Sequence, residues 1–260
     1  SCRYLKYATI WPMTHAEAKR IKSLHQKKNR KEEGLFLVEG EKSILELIDS
    51  DFEIEKIYIT HELLEKHKEI LGPAKNLIEL ISVGEIAKMS SLEFNDTGIA
   101  VVKQKENRAF EINDTDIILA LDDIRDPGNL GTIIRTADWY GVTKIVCSPT
   151  TAEFYNMKTI SATMGSFTRV QIFYTELPNF LKQINLPIVG ALLDGENAHT
   201  FSFPKNGVLL MGNESNGISN SVISLITHKV TIPKYGSAES LNVSVATGII
   251  LDTFKRLGGR

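Results

Sequence analysis

The chain has 260 residues, 42% of them hydrophobic and 24% charged, with 30 Lys and Arg set against 32 Asp and Glu. This composition excludes a disordered or fibrous protein, and the near-balance of charge excludes binding a polyanion with the whole surface, so any nucleic-acid site must be a local patch. The length suits one large α/β domain or two domains with separate cores.

No apolar run approaches the roughly 20 residues of a membrane-spanning helix, and the opening segment lacks the basic-then-apolar order of a secretory signal. The two cysteines, Cys2 and Cys147, are too few for a disulfide framework. They suit a reducing cytoplasm.

Residues 14–31, "THAEAKRIKSLHQKKNRK", predict a helix capped by Thr14 and then a basic turn. From Lys19 to Lys31 there are seven Lys or Arg and no acid. Such runs are usually solvated faces; the sharper reading is a phosphate-contacting surface. "GLFLVEG" then predicts a strand, "EKSILELIDS" a helix, "IEKIYIT" a strand, "HELLEKHKEIL" a helix and "NLIELIS" a strand, and "VGEIAKMSS" and "GIAVVKQ" complete the alternation. This is a small α/β domain over residues 1–103, and the polar stretch 104–115, with "KENRAFEINDT", reads as a linker.

Residues 116–260 form a second α/β domain. Its strands are expected at "DIILALD", "KIVCSP", "TRVQIFY", "PIVGALL", "GVLLMG" and "HKVTIP". Their near-continuous apolar character predicts a parallel sheet covered on both faces, with ligands at the carboxyl ends of the strands.

Three loops follow such strand ends. In "LDDIRDPGNLGTIIRTADWYGV" a Pro-Gly-Asn turn leads into a helix whose first N–H groups face the loop. It lacks both the dinucleotide fingerprint and the P-loop lysine. Arg135, further along that helix, is either a surface ion-pair partner of Asp138 or Asp122 or a two-pronged phosphate donor. In "VLLMGNESNGIS", Glu214 occupies a glycine-flanked turn that needs no acid for its geometry. In "VTIPKYGSAESLNVSVATGIILDTFKR", Ser240 is expected to cap a helix with an apolar stripe of Leu241, Val245, Ile249 and Phe254, leaving Asn242 and Ser244 as polar groups facing the loop. Cys147 sits in an apolar strand and reads as inert core, and no His or Cys cluster has metal-ligand spacing, so no metal is expected.

Together "NLGTIIRTADWYGV", "LLMGNESNGIS" and "IPKYGSAESLNVSVATGI" resemble the motifs of the SpoU/TrmH family of RNA ribose methyltransferases, within the SPOUT superfamily. "LFLVEGEKSILELI" is similar to the substrate-binding domain ahead of the catalytic domain in rRNA-modifying members. The resemblance implies a dimeric enzyme that moves a methyl group from S-adenosylmethionine to a ribose 2′-hydroxyl, with a deep trefoil knot in the C-terminal domain. Carried over by position, it assigns Asn129, Arg135, Glu214, Ser240 and Asn242 to catalysis. Gly212, Ile232 and Leu241, with Met211 and Leu192 beside them, would hold the cofactor. The second motif departs from the usual pattern in the residues flanking Glu214. With RNA as the implied partner, Lys22, Lys27, Lys28, Arg30 and Lys31 become candidate phosphate contacts. Ribosomal RNA is the favoured substrate, with transfer RNA or a non-catalytic RNA-binding role as alternatives.

Overall fold

The computed structural model describes residues 13–92 and 94–258; Cys2 lies outside them. In chain order the first elements are α1 (His15–Ser23), α2 (Lys27–Glu33), β1 (Leu35–Glu39), α3 (Glu41–Ile48), β2 (Ile54–Ile59), α4 (His61–Lys66), α5 (Lys68–Leu71), β3 (Ile78–Leu80), α6 (Val83–Met89) and β4 (Gly98–Lys103). Then come β5 (Ile117–Leu121), α7 (Pro127–Trp139), β6 (Lys144–Cys147), α8 (Met157–Thr163), β7 (Gln171–Tyr174) and α9 (Leu177–Lys182). The chain ends with β8 (Ile188–Asn197), β9 (Gly207–Met211), α10 (Asn220–Ile223), β10 (His228–Thr231) and α11 (Val243–Leu257). Two compact units result: residues up to 105 together with 155–168, and residues 106–154 together with 169–260.

The first unit is built on a four-stranded sheet of order β1-β4-β2-β3, with β4 antiparallel to β1 and β2 and β3 parallel to β2. All five residues of β1 are buried, as expected for a strand covered on both faces. Leu35 and Leu37 pack with Ile21 of α1 and Leu24 at its end and with Ile86 and Met89 of α6. Each such side chain, fully buried, contributes about 1.5–3 kcal/mol. The helix starts follow local chemistry. The Thr14 hydroxyl accepts from the Glu17 N–H at 3.2 Å, and Ser82 and Glu85 close a reciprocal capping box on α6.

Three expectations need correction here. The basic segment is a second helix, α2, ended by Gly34 at φ 65°. Within it Arg30 is only 1% exposed. Its Nη1 donates to the carbonyls of Leu24 (3.0 Å) and His25 (2.9 Å), satisfying the end of α1, so Arg30 is a structural peg and not a phosphate contact. Lys22, Lys27, Lys28 and Lys31 are exposed. The helix predicted over "HELLEKHKEIL" breaks at His67, whose Nε2 lies 2.8 Å from Glu41 Oε1.

The domain boundaries also change. Residues 155–168 belong to the first unit, because α8 buries Thr159, Ile160 and Thr163 and Phe167 joins an aromatic cluster. Its ring centroid lies 6.2 Å from that of Phe36 and 5.6 Å from that of Phe52, and Tyr155 lies 4.6 Å from Phe36. Nor is the segment read as a linker loose. Asn107 trades two 2.9 Å hydrogen bonds with the backbone of Tyr174 on edge strand β7, and Phe110 packs against Phe173 and Phe180.

The second unit holds a six-stranded sheet of order β10-β8-β9-β5-β6-β7, every pairing parallel, as its apolar strands predict. One face is covered by Leu177, Leu181 and Val222 over Ile118, Ala120, Val146, Val208 and Leu210. α7 and α11 pack together, burying Ile133, Ile134 and Ala137 from one and Ile250, Leu251 and Phe254 from the other. The chain moves outward from β5 through β6 and β7 on one side and places β9, β8 and β10 on the other. That reversal is a topological switch point, and in such sheets ligands bind in the crevice outside the strands' carboxyl ends, here those of β5 and β9.

Candidate functional site

The loops leaving β5 and β9 are stitched together at this crevice. The Asp122 N–H donates to the Met211 carbonyl at 2.9 Å, Asn213 Nδ2 donates to the Asp123 carbonyl at 2.8 Å, and the Ser219 N–H donates to Asp122 Oδ2 at 2.7 Å. Asp126 caps α7 by accepting from the Asn129 N–H at 2.9 Å, with Pro127 in the first turn, where no N–H is needed. That fixes Asn129 at the mouth of the crevice.

The loop after β9 is a tight turn. Asn213 and Gly217 exchange two backbone hydrogen bonds of 3.0 and 2.9 Å, Gly217 sits at φ 67°, and Asn213 Oδ1 accepts from the N–H groups of Ser215 and Asn216. Glu214 is displayed on this frame. A Cβ on Gly212 would lie 2.4 Å from Gly217 C and Ile218 N, so only glycine lets the loop fold back on itself.

Three predicted residues form one polar chain. Asn242 Nδ2 donates to Asn129 Oδ1 at 2.9 Å, and Asn129 Nδ2 donates to Glu214 Oε1 at 2.5 Å. The chain joins all three loops. Arg135 and Ser240 are not part of it. Arg135 is exposed, and among the described residues nothing pairs with it: Asp138 is taken by Arg169 at 2.9 Å and Asp122 by Ser219. The ion-pair reading of Arg135 therefore falls.

Ser240 is exposed and does not cap α11. The cap is Asn242, whose Oδ1 accepts from the N–H groups of Ser244 (2.9 Å) and Val245 (3.4 Å). The helix starts later than expected, and its stripe rotates accordingly: Val243, Thr247, Ile250, Leu251 and Phe254 are buried, whereas Leu241 and Val245 are exposed.

Of the residues expected to hold a cofactor, Met211 is buried in the sheet core and uses its carbonyl on Asp122. Ile232 and Leu192 are half-buried. Leu193, which the sequence reading passed over, is 86% exposed on the stretch of β8 that runs beyond its pairing with β9. The close-folded backbone at Gly212 and the uncovered aliphatic groups Leu193 and Leu241 fit a ligand with a flat heterocycle and an aliphatic arm. Among the described residues no group of three or more His, Cys, Asp or Glu gathers as for a metal ion.

The reading also missed Asp123, Arg125 and Asn213. Asn213 had a signal, since an Asx turn in "GNESNG" needs its side chain. Asp123 had none. Burial alone would raise its carboxyl, but hydrogen bonds from Arg125 and Thr150 outweigh that and hold it below the usual aspartate range.

The fold and these joined loops define a two-unit α/β protein with a ligand site at the carboxyl edge of a parallel sheet. Residues 116–252 match the SpoU rRNA Methylase family and residues 16–100 match the MRM3-like substrate binding domain. The chain belongs to the SpoU rRNA methylase family. It is 30% identical over 236 residues to the 23S rRNA (guanosine(2553)-2′-O)-methyltransferase RlmP of Bacillus subtilis (strain 168), covering 88% of this chain and 92% of that protein. The 23S rRNA (uridine(2479)-2′-O)-methyltransferase of Streptomyces viridochromogenes is 28% identical over 265 residues, 91% of this chain and 88% of that protein. The crystal structure of an AdoMet-bound rRNA methyltransferase from Sinorhizobium meliloti superposes with a TM-score of 0.83 at 29% identity, covering 94% of this chain and 95% of that one.

Proposed function

We propose that this protein transfers the methyl group of S-adenosylmethionine to a ribose 2′-hydroxyl of RNA, with 23S-type ribosomal RNA as its substrate. The observation that carries the reading is the Asn242–Asn129–Glu214 chain, which joins three loops inside the segment shared with the family. Of the two relatives named above, one modifies guanosine and the other uridine. The base is therefore not read from the family.

Bound S-adenosylmethionine would supply an already activated methyl group. The protein must then align the hydroxyl with it and take up the hydroxyl proton. Asn129, held at both ends of its amide, has a fixed orientation at the site, and Glu214 is the acceptor-only group in the chain. Arg135 carries a planar guanidinium with several N–H donors and no acceptor. We assign it to a backbone phosphate and to the oxyanion that develops on the ribose, as its unpaired guanidinium allows. Gly212, Ile232, Leu192, Leu193 and Leu241 would hold the cofactor. Ser240, exposed beside Asn242, would meet the cofactor or the ribose. In this reading the chain ends after β9 and β10 form the family's trefoil knot, supported by both segments bonding to the loop after β5.

In the first unit Lys22, Lys27, Lys28 and Lys31 would meet RNA phosphates. We further infer a homodimer through the exposed side of α7 and α11. Trp139 there is 84% exposed, Val245 is uncovered, and a cavity of about 510 Å³ is lined by Tyr140, His199, Ile249, Asp252, Thr253 and Arg256. Apolar exposure of this kind is typical of association surfaces. Light scattering showing a monomer at micromolar concentration would remove the dimer from the reading.

The central test is methyl transfer from labelled S-adenosylmethionine to in vitro transcribed 23S rRNA and to ribosomal subunits lacking the modification. We expect label on a ribose oxygen, and a loss of about 100-fold or more in Arg135→Ala with cofactor binding retained. Absence of both transfer and cofactor binding would leave a non-catalytic RNA binder.

A further inference from the structure

Asp123 is one of only two described residues other than glycine with a positive φ, at 60°. Side chains are rarely held there, and such strain persists only where the surroundings over-determine it. They do so here. The Asp123 N–H donates to Ser148 Oγ at 2.8 Å, its carbonyl accepts from Asn213 Nδ2 at 2.8 Å, and its Oδ2 lies 3.3 Å from the same nitrogen. A glycine would take this conformation freely. What aspartate adds is its carboxylate, which Thr150 also contacts and whose Oδ1 accepts from Arg125 Nε at 2.9 Å.

Arg125 itself is 68% exposed and has no second partner among the described residues. Its Nε is tied down while neither Nη group has a hydrogen-bond partner among the described residues. It directly precedes Asp126, the cap of α7, and stands four positions before Asn129. A planar cation is thus held in one orientation on the rim of the polar chain, by a residue that accepts a strained backbone to do it.

We propose that Arg125 is an RNA-phosphate clamp at the mouth of the site and that Asp123 is its positioning residue. This rests on the RNA methyl-transfer reading above and adds the group that fixes the nucleotide backbone beside the reacting ribose. Phosphate contacts set register without reading sequence, and a guanidinium with one edge anchored offers its other edge as a paired donor.

The experiment is steady-state methyl transfer to in vitro transcribed 23S rRNA across 50–200 mM salt, with cofactor affinity measured separately by calorimetry. Arg125→Ala is expected to raise the KM for RNA roughly tenfold or more, leave kcat within about twofold, and flatten the salt dependence of binding by about one phosphate contact, a slope change near 0.7. Arg125→Lys should recover part of the loss, because the charge returns without the planar pair of donors. Asp123→Gly keeps the backbone conformation but frees Arg125, and should shift KM in the same direction. A lower melting temperature with unmoved KM would make the pair structural and overturn the proposal. So would a rise in cofactor Kd instead of RNA KM, which would assign Arg125 to the cofactor's carboxylate. Should an Asp123 variant fail to fold, Arg125→Ala, at an exposed position, decides alone. Wild-type protein that methylates neither this RNA nor ribosomal subunits would remove the underlying reading, and the clamp with it.

Discussion

Asn242 donates from its side-chain amide to Asn129 Oδ1 at 2.9 Å across 113 positions of sequence, while its own Oδ1 caps α11. One side chain thus starts a helix and orients a site residue, and the two jobs use different atoms.

They can be separated by substitution. Asn242→Asp keeps a good capping oxygen but replaces the donor to Asn129 with a second carboxylate. We expect a melting temperature close to wild type and a fall of about tenfold or more in kcat/KM. Asn242→Ala removes both functions and should also cost about 0.5–2 kcal/mol of stability. Thermal melts run beside methyl-transfer kinetics check both; equal activity of Asn242→Asp and wild type would take Asn129 orientation out of the reaction.

Gly212 tests the second loop. A Cβ there meets backbone atoms at 2.4 Å, which no rotamer change relieves. Gly212→Ala should destabilise by roughly 1–3 kcal/mol, as overpacking does, and abolish cofactor binding by calorimetry. Gly84→Ala is the control: it lies in α6 with nothing closer than 4.0 Å, and a gain of about 0.5–1 kcal/mol is expected from helix propensity.

The basic helix should split by burial. Arg30→Ala leaves two carbonyls without their donor and is expected to cost about 1–3 kcal/mol, read by urea denaturation. Lys27→Ala, Lys28→Ala and Lys31→Ala should leave stability within about 0.5 kcal/mol while each lowers the salt slope of RNA binding by about 0.7–0.9. An Arg30 variant as stable as wild type would contradict the peg role.

Cys147 gives a pH prediction. It is fully buried, and burial pushes its thiol pKa up. The folded protein therefore keeps a proton that the unfolded chain releases near pH 8.5. Stability is complete below that pH and declines above it, by up to about 1.4 kcal/mol per pH unit. Tyr155, pushed up to about 12 by burial, acts in the same direction but only above about pH 10. Melting curves from pH 7 to 9.5 should fall more steeply for wild type than for Cys147→Ala, and in a Cys2→Ser background thiol reagents should react only as the protein unfolds.

Much of this architecture was legible from pattern. Every strand of the second sheet announced itself by a short apolar run, most clearly the inner strands β5, β6 and β9, whose burial on both faces leaves no polar alternation to confuse the reading. Glu214 could be chosen because it is acidic where its turn needs no acid, whereas Asn129 and Asn242 were picked out by the family motifs, and Asn242 proves to serve its own helix as the cap as well. What escaped depended on contacts distant in sequence. Arg30 sits in a run of lysines and looks like them, and only the carbonyls at the end of α1 make it different. Ser240 and Asn242 are both good caps, and the choice between them is made by Asn129, 113 positions before Asn242. Asp123 carries its strain in φ, which composition does not record.

Residues 155–168 complete the first unit although the strands β5 and β6 come before them in the chain. During synthesis the amino-terminal sheet therefore emerges with the slot for Phe167 still empty. Its aromatic cluster can close only after the ribosome has extruded the opening strands of the other unit. A truncation at residue 105 should accordingly yield a fragment with its β-strands but a weakened, exposed apolar face. The order of translation thus ties the birth of the half proposed to bind RNA to that of the half proposed to carry the chemistry.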